Sequence, residues 1–395
     1  MVNEKPDQMY IPRKIEDGVR KALKNNPVVA LIGPRQCGKS TLAKQILSST
    51  AHSIYLDMER PSDVQKLEDA EWFLSSQKGK LVCIDEVQRK PELFPLIRSL
   101  VDEWNTPGSF LMLGSASRDL LKQSSESLAG RISYKRLTPF LWKELKGKYS
   151  IEKYFARGAF PRSLLADNET ASFEWREDFI STFLERDLIQ WRNFTPSTMR
   201  RLWQMLAHVN GQTVDYSALA NSLGVSSTTV KNYIDLLQST FMVDAIPPYI
   251  SNLGKRLVKA PKVYLPDSGI TAVLLGLHNF EEMFGHPSFG AVWEQIVLSN
   301  LRGLFPEASV YFYRTSNGAE VDFVINIKNT VFAIECKSSY APTLTKGNYN
   351  AFEDIAPKQV FVVSPVKKGW PMKRGIDLVS LEELDVKIRI MIPSS

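Results

Sequence analysis

The sequence predicts an α/β protein of several domains, and three observations carry that prediction. In residues 1–147, apolar runs typical of buried parallel strands alternate with segments of helical spacing. The middle of the chain is helical in pattern and contains the spacing of a helix-turn-helix. Strand-like apolar runs return towards the C-terminus, beside an amphipathic helix. We therefore expect a parallel-sheet core over residues 1–147, a helical segment over 148–194, a helix-turn-helix domain with its linker over 195–283, and a further α/β domain over 284–395.

Bulk composition narrows the class of protein and its location. Hydrophobic residues make up 44% and charged residues 23% of the chain, which is ordinary for a globular protein. No apolar run reaches the roughly 18 residues that a membrane span needs, and the N-terminus lacks the apolar region of a secretory signal. Three distant cysteines suit a reducing compartment, so we expect a cytoplasmic protein. The net charge of +6 favours a nucleic-acid partner, although a surface of solvated lysines gives the same charge.

A glycine-rich loop lies between a strand-like run, Val28 to Ile32, and a helical run. It fits the pattern G-x-x-x-x-G-K-[ST] with the residues Gly33, Pro34, Arg35, Gln36, Cys37, Gly38, Lys39, Ser40 and Thr41. The two glycines permit backbone angles that turn N–H groups towards phosphates. Lys39 adds a mobile positive charge at the terminal phosphates, and Ser40 offers a hydroxyl to Mg²⁺. The sequence therefore predicts that these residues bind a nucleoside triphosphate with Mg²⁺.

Two later strand-like runs end in polar residues that suit the chemistry of that nucleotide. The run from Leu81 to Ile84 ends in Asp85 and Glu86. Asp85 is expected to hold Mg²⁺, and Glu86 to act as the general base on the attacking water; the alternative is a strand that ends in an acidic turn. Ser115 follows the next apolar run and is expected to sense the γ-phosphate or, alternatively, to cap a helix.

In this order, the parts resemble an AAA+ ATPase, and more closely the bacterial and archaeal ATPases with Gly-Pro-Arg-Gln-x-Gly-Lys-Ser/Thr and Asp-Glu-Val-Gln motifs. The matching residues are 33–40, 85–88, 114–115 and 129–131. The resemblance implies ATP as the nucleotide. It also implies that Arg131 is an arginine finger that reaches the γ-phosphate of a neighbouring subunit, and hence a homo-oligomer such as a hexamer. Without the resemblance, Arg131 would be a loop arginine.

Two other arginines are candidates for contact with the nucleotide. Arg13 precedes the glycine-rich loop and is interpreted as a surface charge or as a neighbour of the base. Related ATPases carry a turn with a glycine and a proline in a small helical lid, and residues 158–162 resemble it. By that resemblance Arg162 contacts a phosphate; the alternative is an exposed arginine at a helix start.

The spacing between residues 214 and 243 predicts a helix-turn-helix of the winged type. The turn is residues 224–226, and the exposed positions of the second helix are Ser227, Thr228, Thr229, Lys231 and Asn232. These positions suit DNA contact, while a spacer or protein-contact domain is the alternative. Four basic residues then follow close together and suit phosphate contact or a solvated hinge: Lys255, Arg256, Lys259 and Lys262.

The last domain carries a pattern of acidic residues and one lysine on two strands and a helix. Glu335 and Lys337 are two residues apart and therefore share a strand face. If their strand pairs with the preceding one through residues 328–330, Asp322 lies beside them. Asp322 and Glu335 then suit a divalent metal, Lys337 suits a water that attacks a phosphodiester, and Glu294 completes the metal shell from the helix.

This pattern resembles the PD-(D/E)xK nuclease fold, with Val321 in place of the usual proline; a surface ion pair is the alternative interpretation of Glu-x-Lys. Almost the whole chain thus resembles one family, an AAA+-like ATPase joined to a winged helix and a C-terminal nuclease-like domain. The resemblance implies an ATP-hydrolysing, DNA-binding protein with a Mg²⁺-dependent nuclease domain. The alternatives are an ATP-dependent switch or clamp that does not cut, and a regulator of another protein that binds no DNA.

Overall fold

The structure, a computed structural model, describes residues 10–115, 127–145, 147–187, 195–250 and 258–393. The chain divides into two compact units. The first comprises residues 1–140 and 144–146, and the second comprises residues 141–143 and 147–395. In the described residues, no helix is both long and apolar enough to cross a membrane.

The first unit is a five-stranded parallel sheet with helices between its strands. Its described elements are α1 (Glu16–Asn25), β1 (Val28–Ile32), α2 (Lys39–Ser48), β2 (Ser53–Asp57), α3 (Pro61–Lys66), α4 (Ala70–Ser75), β3 (Leu81–Asp85), α5 (Leu93–Trp104), β4 (Phe110–Gly114) and β5 (Ile132–Arg136). The strand order is β2-β3-β4-β1-β5. Strands β1, β3 and β4 are buried along their whole length, as their continuous apolar sequences predict. The predicted parallel-sheet core is confirmed.

This strand order decides which loops share an edge of the sheet. Because all the pairings are parallel, the loops after β1, β3 and β4 leave from the same carboxyl edge. The glycine-rich loop, the acidic pair and Ser115 therefore lie at one edge. Arg131 precedes β5 and bonds through its backbone to Val28, at the opposite edge.

The second unit begins with helices that pack on one another. They are α6 (Ile151–Arg157), α7 (Pro161–Leu164), α8 (Glu169–Thr182), α9 (Pro196–His208), α10 (Tyr216–Leu223) and α11 (Ser227–Ser239). A three-stranded antiparallel sheet accompanies them, in the order β6 (Gln212–Thr213), β8 (Lys262–Tyr264) and β7 (Asp244–Ile246). The apolar residues that repeat at helical spacing, Leu219 and Leu223 on α10 and Val230, Ile234 and Leu237 on α11, are buried.

The segment predicted as a lid packs within the second unit, against α12 (Ser268–Leu274). The buried guanidinium of Arg176 joins these helices, because it donates to the backbone oxygens of Ala156 (2.7 Å) and Gly269 (2.9 Å). Gly158 has a φ of +72°, and a Cβ there would lie 2.1 Å from Oδ1 of Asp267. The predicted glycine turn therefore seats on a buried aspartate of the same unit.

The rest of the second unit is a six-stranded mixed sheet with helices around it. Its remaining elements are α13 (Phe280–Phe284), α14 (Phe289–Leu304), β9 (Ser309–Arg314), β10 (Glu320–Ile327), β11 (Thr330–Cys336), α15 (Lys346–Ile355), β12 (Gln359–Val363), β13 (Trp370–Lys373), β14 (Ile376–Val379) and α16 (Leu381–Met391). The strand order is β13-β14-β12-β11-β10-β9. The indole N–H of Trp293 on α14 donates to the backbone oxygen of Val363 (3.0 Å), which fixes this helix against the sheet.

The hairpin of β10 and β11 is the feature that positions the predicted acidic residues. Its two-residue turn, Lys328-Asn329, has positive φ at both positions, which matches the twist of the flanking strands. The pairing predicted from the sequence is thereby confirmed. On the other side of β10, two residues, Asp322 and Phe323, lie opposite the single residue Phe312 of β9. This β-bulge re-aims the Asp322 side chain.

Candidate functional site

The glycine-rich loop of the first unit holds its lysine in a buried position. Lys39 is only 5% exposed, and its Nζ donates to the backbone oxygens of Gly33 (3.0 Å) and Pro34 (2.8 Å). A Cβ at position 33 would lie 2.1 Å from the backbone oxygen of Leu137, so only glycine fits there. Gly38, the N-cap residue of α2, has a φ of +102°. The ammonium thus lies within the loop, where a bound phosphate can replace the two carbonyls as its partner.

The other residues of the loop differ in exposure. Pro34 and Cys37 are buried, Arg35 is half-buried, and Gln36 and Thr41 are exposed. Burial raises the pKa of the Cys37 thiol, which therefore stays protonated and acts as a packing residue. The predicted contacts of these residues with a nucleotide stay predictions.

Arg13 is a structural support of the loop, and its interpretation as a surface charge is wrong. The side chain is 5% exposed, and its Nη1 donates to the backbone oxygen of Cys37 (2.9 Å). Its Nε pairs with Glu144 (2.9 Å), and Nη2 donates to the backbone oxygens of Thr138 (2.6 Å) and Pro139 (3.0 Å). Four of the five guanidinium N–H groups thus donate to the protein, so Arg13 positions the loop.

The acidic pair after β3 lies beside the loop. Oδ2 of Asp85 accepts hydrogen bonds from the Ser40 hydroxyl (2.6 Å) and from the Tyr55 hydroxyl, and Oδ1 accepts from the backbone N–H of Glu86 (2.9 Å). A serine hydroxyl next to a carboxylate is the donor set that Mg²⁺ takes in nucleotide sites. These residues therefore fit the predicted metal. Tyr55 has no motif around it and was not predicted.

Glu86 lies in a small polar chain that reaches Ser115. The Gln88 amide donates to Oε2 of Glu86 and to Oγ of Ser115 (3.2 Å). Glu86 has a positive φ of 51°, an uncommon conformation for a residue other than glycine. Gln88 belongs to the Asp-Glu-Val-Gln motif, yet no role was predicted for it. The amide orients the proposed base and ties it to the polar end of β4.

The two predicted arginines belong to different units of the chain. Arg131 is half-buried and pairs with Asp102 of α5 through Nη2 (2.9 Å). The hydrogen bond between the two side chains, together with their opposite charges, raises the pKa of Arg131 and lowers that of Asp102. Arg131 lies at the amino edge of its sheet, opposite the glycine-rich loop, and its predicted role as an arginine finger stays a prediction. Arg162 is exposed on α7 of the second unit, and its predicted phosphate contact stays a prediction.

In the second unit, the structure brings Glu294, Asp322, Glu335 and Lys337 together. The register of β10 and β11 places Asp322 across from Glu335. Each carboxylate already accepts a donor from the protein. Oδ2 of Asp322 accepts from the backbone N–H of Cys336 (2.8 Å), Oε1 of Glu335 from Lys337 (2.7 Å), and Oε2 of Glu294 from the hydroxyl of Tyr264 (2.7 Å). Among the described residues, the second oxygen of Glu335 is buried without a hydrogen-bond partner.

A second lysine, which the sequence did not predict for this centre, completes it. Lys262 on β8 is 3% exposed, and its Nζ lies 3.0 Å from Oε1 of Glu320 and 3.7 Å from Oδ1 of Asp322. Burial alone would lower the pKa of Lys262, but the charges of Asp322, Glu294 and Glu320 raise it. Its interpretation as a phosphate contact or a solvated hinge residue is therefore wrong.

The carboxylates of this centre hold protons more tightly than ordinary ones. Burial, together with the charge of Asp322, raises the pKa of Glu294 to about 8 and that of Glu335 to about 8. Burial also raises the pKa of Asp322, against the opposing effect of Lys262. The centre thus favours fewer negative charges than its carboxyl groups could carry at neutral pH.

The arrangement does not fit a divalent metal ion as it stands. In the part of the chain that the structure describes, no group of three histidine, cysteine, aspartate or glutamate side chains is arranged to hold a metal. Three of the expected ligand oxygens bond to Tyr264, Cys336 and Lys337, and the ammonium of Lys262 already lies against Asp322. The assignment of Glu294, Asp322 and Glu335 as metal ligands stays a prediction.

The predicted DNA face of α11 is accessible for the most part. Ser227, Thr228, Lys231 and Asn232 are exposed, and Thr229 is half-buried. Ser226 caps the helix by accepting from the backbone N–H of Thr229 (3.1 Å). Lys255 and Arg256 lie outside the described residues, and Lys259 is exposed.

Three family models match successive parts of this chain. One described as "AAA domain" matches residues 25–146. One described as "Domain of unknown function (DUF8612)" matches residues 148–281, and one described as "Domain of unknown function (DUF4143)" matches residues 289–384.

Whole proteins with similar sequences occur in bacteria and archaea. "Uncharacterized protein Rv2008c" of Mycobacterium tuberculosis and "Uncharacterized protein Mb2031c" of Mycobacterium bovis are each 37% identical over 367 residues, which cover 93% of this chain and 82% of the relative. "Uncharacterized protein MJ1637" of Methanocaldococcus jannaschii is 22% identical and covers 72% of this chain and 70% of its own. A solved Walker-type ATPase of Pyrococcus abyssi superposes with a TM-score of 0.47 at 14% identity, over 67% of this chain and 96% of its own.

Proposed function

Because this chain belongs to the family of Rv2008c and Mb2031c and has an AAA-type ATPase domain at residues 25–146, we propose that it is an ATP-hydrolysing switch whose second unit binds DNA. The observation that carries the proposal is the continuous polar edge of the first sheet. Lys39, Ser40 and Asp85 form one half of that edge, and Glu86, Gln88 and Ser115 form the other.

The residues of this edge have separate roles in ATP hydrolysis. Lys39 neutralises the terminal phosphates, and Ser40 and Asp85 would hold Mg²⁺, which polarises the phosphoryl oxygens when it is bound. Glu86 accepts the proton of the attacking water. Gln88 holds the Glu86 carboxylate in position and donates a hydrogen bond to Ser115. Loss of the γ-phosphate would therefore change the hydrogen bonds at the end of β4.

The support for DNA as the partner of the second unit comes from one helix face and not from the overall charge of the unit. Residues 1–146 contain 23 basic and 18 acidic side chains, whereas residues 147–395 contain 26 and 25. The excess positive charge therefore belongs to the ATPase unit. DNA contact by the second unit must depend on a particular face, and the exposed polar face of α11 with Lys231 is the best candidate.

Lys231→Ala should weaken DNA binding and reduce its dependence on salt. We expect fluorescence anisotropy with labelled duplexes to show salt-dependent binding by the wild type, and a slope of log K against log salt that falls by about 1 in the variant, since one phosphate contact is lost. Lys367→Ala removes another exposed lysine of the same unit and serves as the control. Salt-independent binding, or no binding at any salt concentration, would leave the second unit as a protein-contact domain.

Phosphodiester cleavage is the alternative that this proposal excludes, although one observation would suit it. The unpartnered oxygen of Glu335 lies in a centre where Lys337 already bonds to the same carboxylate. Because the centre does not fit a divalent ion as it stands, we expect the duplexes above to remain intact in Mg²⁺ or Mn²⁺. Cutting that Lys337→Ala abolishes, seen on a denaturing gel, would establish a nuclease instead.

We also propose that the chain works as a homo-oligomer in which Arg131 stabilises charge at a neighbour's γ-phosphate. Arg131→Ala and Lys39→Ala are each expected to be nearly inactive alone, since an arginine finger contributes about 10³-fold or more to turnover. Mixed together, they should regain part of the ATPase rate at interfaces that combine an intact loop with an intact finger. Arg98→Ala, an exposed arginine of α5, should keep wild-type turnover. Absence of rescue at any mixing ratio counts against Arg131.

A further inference from the structure

The short strand β8 inserts two polar side chains into the acidic centre of the second unit. Lys262 and Tyr264 are two residues apart and lie on the same face of the strand, with the fully buried Val263 between them. β8 is the central strand of its sheet, and Lys262 pairs with Thr213 on one side and with Ile246 on the other. The backbone that carries these side chains is therefore held on both edges.

The contacts of the two side chains are made with the residues that would otherwise hold a metal. The ammonium of Lys262 reaches Asp322 and its neighbour Glu320, and the hydroxyl of Tyr264 donates to Glu294. The backbone of Gly211, in the turn before β6, also lies close to Glu294 and Tyr264. A Cβ there would lie 3.3 Å from Oε2 of Glu294 and 3.4 Å from Tyr264.

We propose that Lys262 is a tethered cation that occupies the acidic centre in place of a divalent metal ion, so that β8 keeps this centre closed to metal. A buried ammonium is tolerated only beside carboxylates, and buried carboxylates are tolerated only beside a cation. The lysine meets both needs within one chain. A metal ion placed on Asp322 would meet the positive charge of Lys262 and lose the carboxylate oxygens that Tyr264 and Lys337 engage.

Removal of Lys262 has different consequences if the lysine forms an ordinary buried ion pair and if it takes the place of a metal ion. If Lys262 merely neutralises Asp322 and Glu320, its removal leaves a destabilised protein with no particular affinity for metal. If it takes the place of a metal, its removal uncovers a site in which the carboxylates of Asp322 and Glu335 accept a divalent cation.

Lys262→Met should create a Mn²⁺ site that the wild type lacks. Isothermal titration of the full chain without nucleotide is expected to show one Mn²⁺ per chain in Lys262→Met, bound at least about tenfold more tightly than any Mn²⁺ in the wild type. Mn²⁺ should also raise the melting temperature of Lys262→Met while leaving that of the wild type unchanged. The double variant Lys262→Met/Asp322→Asn should lose the site, which separates it from weak binding at Ser40 and Asp85.

Two controls test whether the effect is specific to the cation on β8. Lys259→Met removes an exposed lysine nearby and should behave as the wild type. Lys262→Arg keeps a cation on β8 and should bind Mn²⁺ as weakly as the wild type. The proposal is overturned if the wild type binds Mn²⁺ as tightly as Lys262→Met, or if a folded Lys262→Met gains no site.

A measurement on the unaltered protein decides the matter if Lys262→Met does not fold. Amine acetylation followed by mass spectrometry should label Lys259 and leave Lys262 protected, and millimolar Mn²⁺ should not change this pattern. Labelling of Lys262 that Mn²⁺ induces would show that metal displaces the lysine, and the proposal would then be wrong.

Discussion

Glu86→Gln is expected to bind ATP normally and to hydrolyse it about 10²–10⁴-fold more slowly than the wild type, the range that a positioned general base contributes. The amide has nearly the same shape as the carboxylate, so it preserves the backbone turn at positive φ. It cannot accept the proton of the attacking water. Because Asp85 and Lys39 are unchanged, the site that holds the phosphates remains intact.

Two measurements separate the binding of ATP by this variant from its hydrolysis. A fluorescent ATP analogue should bind Glu86→Gln with wild-type affinity, while release of inorganic phosphate from ATP falls. Glu68→Gln alters an exposed carboxylate of the same unit and should leave both quantities unchanged. Wild-type turnover by Glu86→Gln would move the general base to another residue and remove the role assigned to Gln88.

Lys39→Ala is expected to abolish measurable ATP binding at micromolar protein. A hydrogen bond to a charged group contributes about 1.5–3 kcal/mol, so each lost contact to a phosphate lowers affinity by about 10–100-fold. The substitution also leaves the carbonyl oxygens of Gly33 and Pro34 without their present donor. Both effects act at the same loop.

Thermal unfolding with and without nucleotide distinguishes a lost contact from a damaged loop. The wild type should unfold at a higher temperature when ATP and Mg²⁺ are added, because a ligand that binds only the folded state stabilises it. Lys39→Ala should show no such rise while keeping most of its stability without nucleotide. Lys21→Ala, an exposed lysine of α1, should respond to ATP as the wild type does. A full ATP-induced rise in Lys39→Ala would contradict the assignment.

Each of the two units carries a site built from polar and charged side chains. The first unit has a polar edge whose residues we assign to ATP hydrolysis. The second unit has an acidic centre that the protein fills with its own lysine. If ATP hydrolysis controls the second unit, β8 is the element whose position would matter most, because Lys262 and Tyr264 are both attached to it.

Contiguous patterns in the sequence sufficed to predict a large part of the fold and the ATP site. The loop from Gly33 to Thr41 and the pair Asp85-Glu86 are recognisable because their chemistry depends on neighbours a few residues away. The strands beside them are continuous apolar runs, and parallel strands place their carboxyl ends at one edge. The hairpin that joins Asp322 to Glu335 was likewise predictable, since strand alternation and a two-residue turn are local properties.

The sequence by itself thus determined the nucleotide loop, the acidic pair and the residues that form the second centre. Only the tertiary structure decided where the buried charges find their partners. From the sequence, Arg13 was interpreted as a surface residue, whereas in the structure it pairs with Glu144, 131 positions away. Lys262 was interpreted as part of a basic linker, whereas in the structure it lies on β8 beside Asp322. The physical reason is that the free energy of a buried charge depends on the charges around it, and distant strands and loops supply those charges.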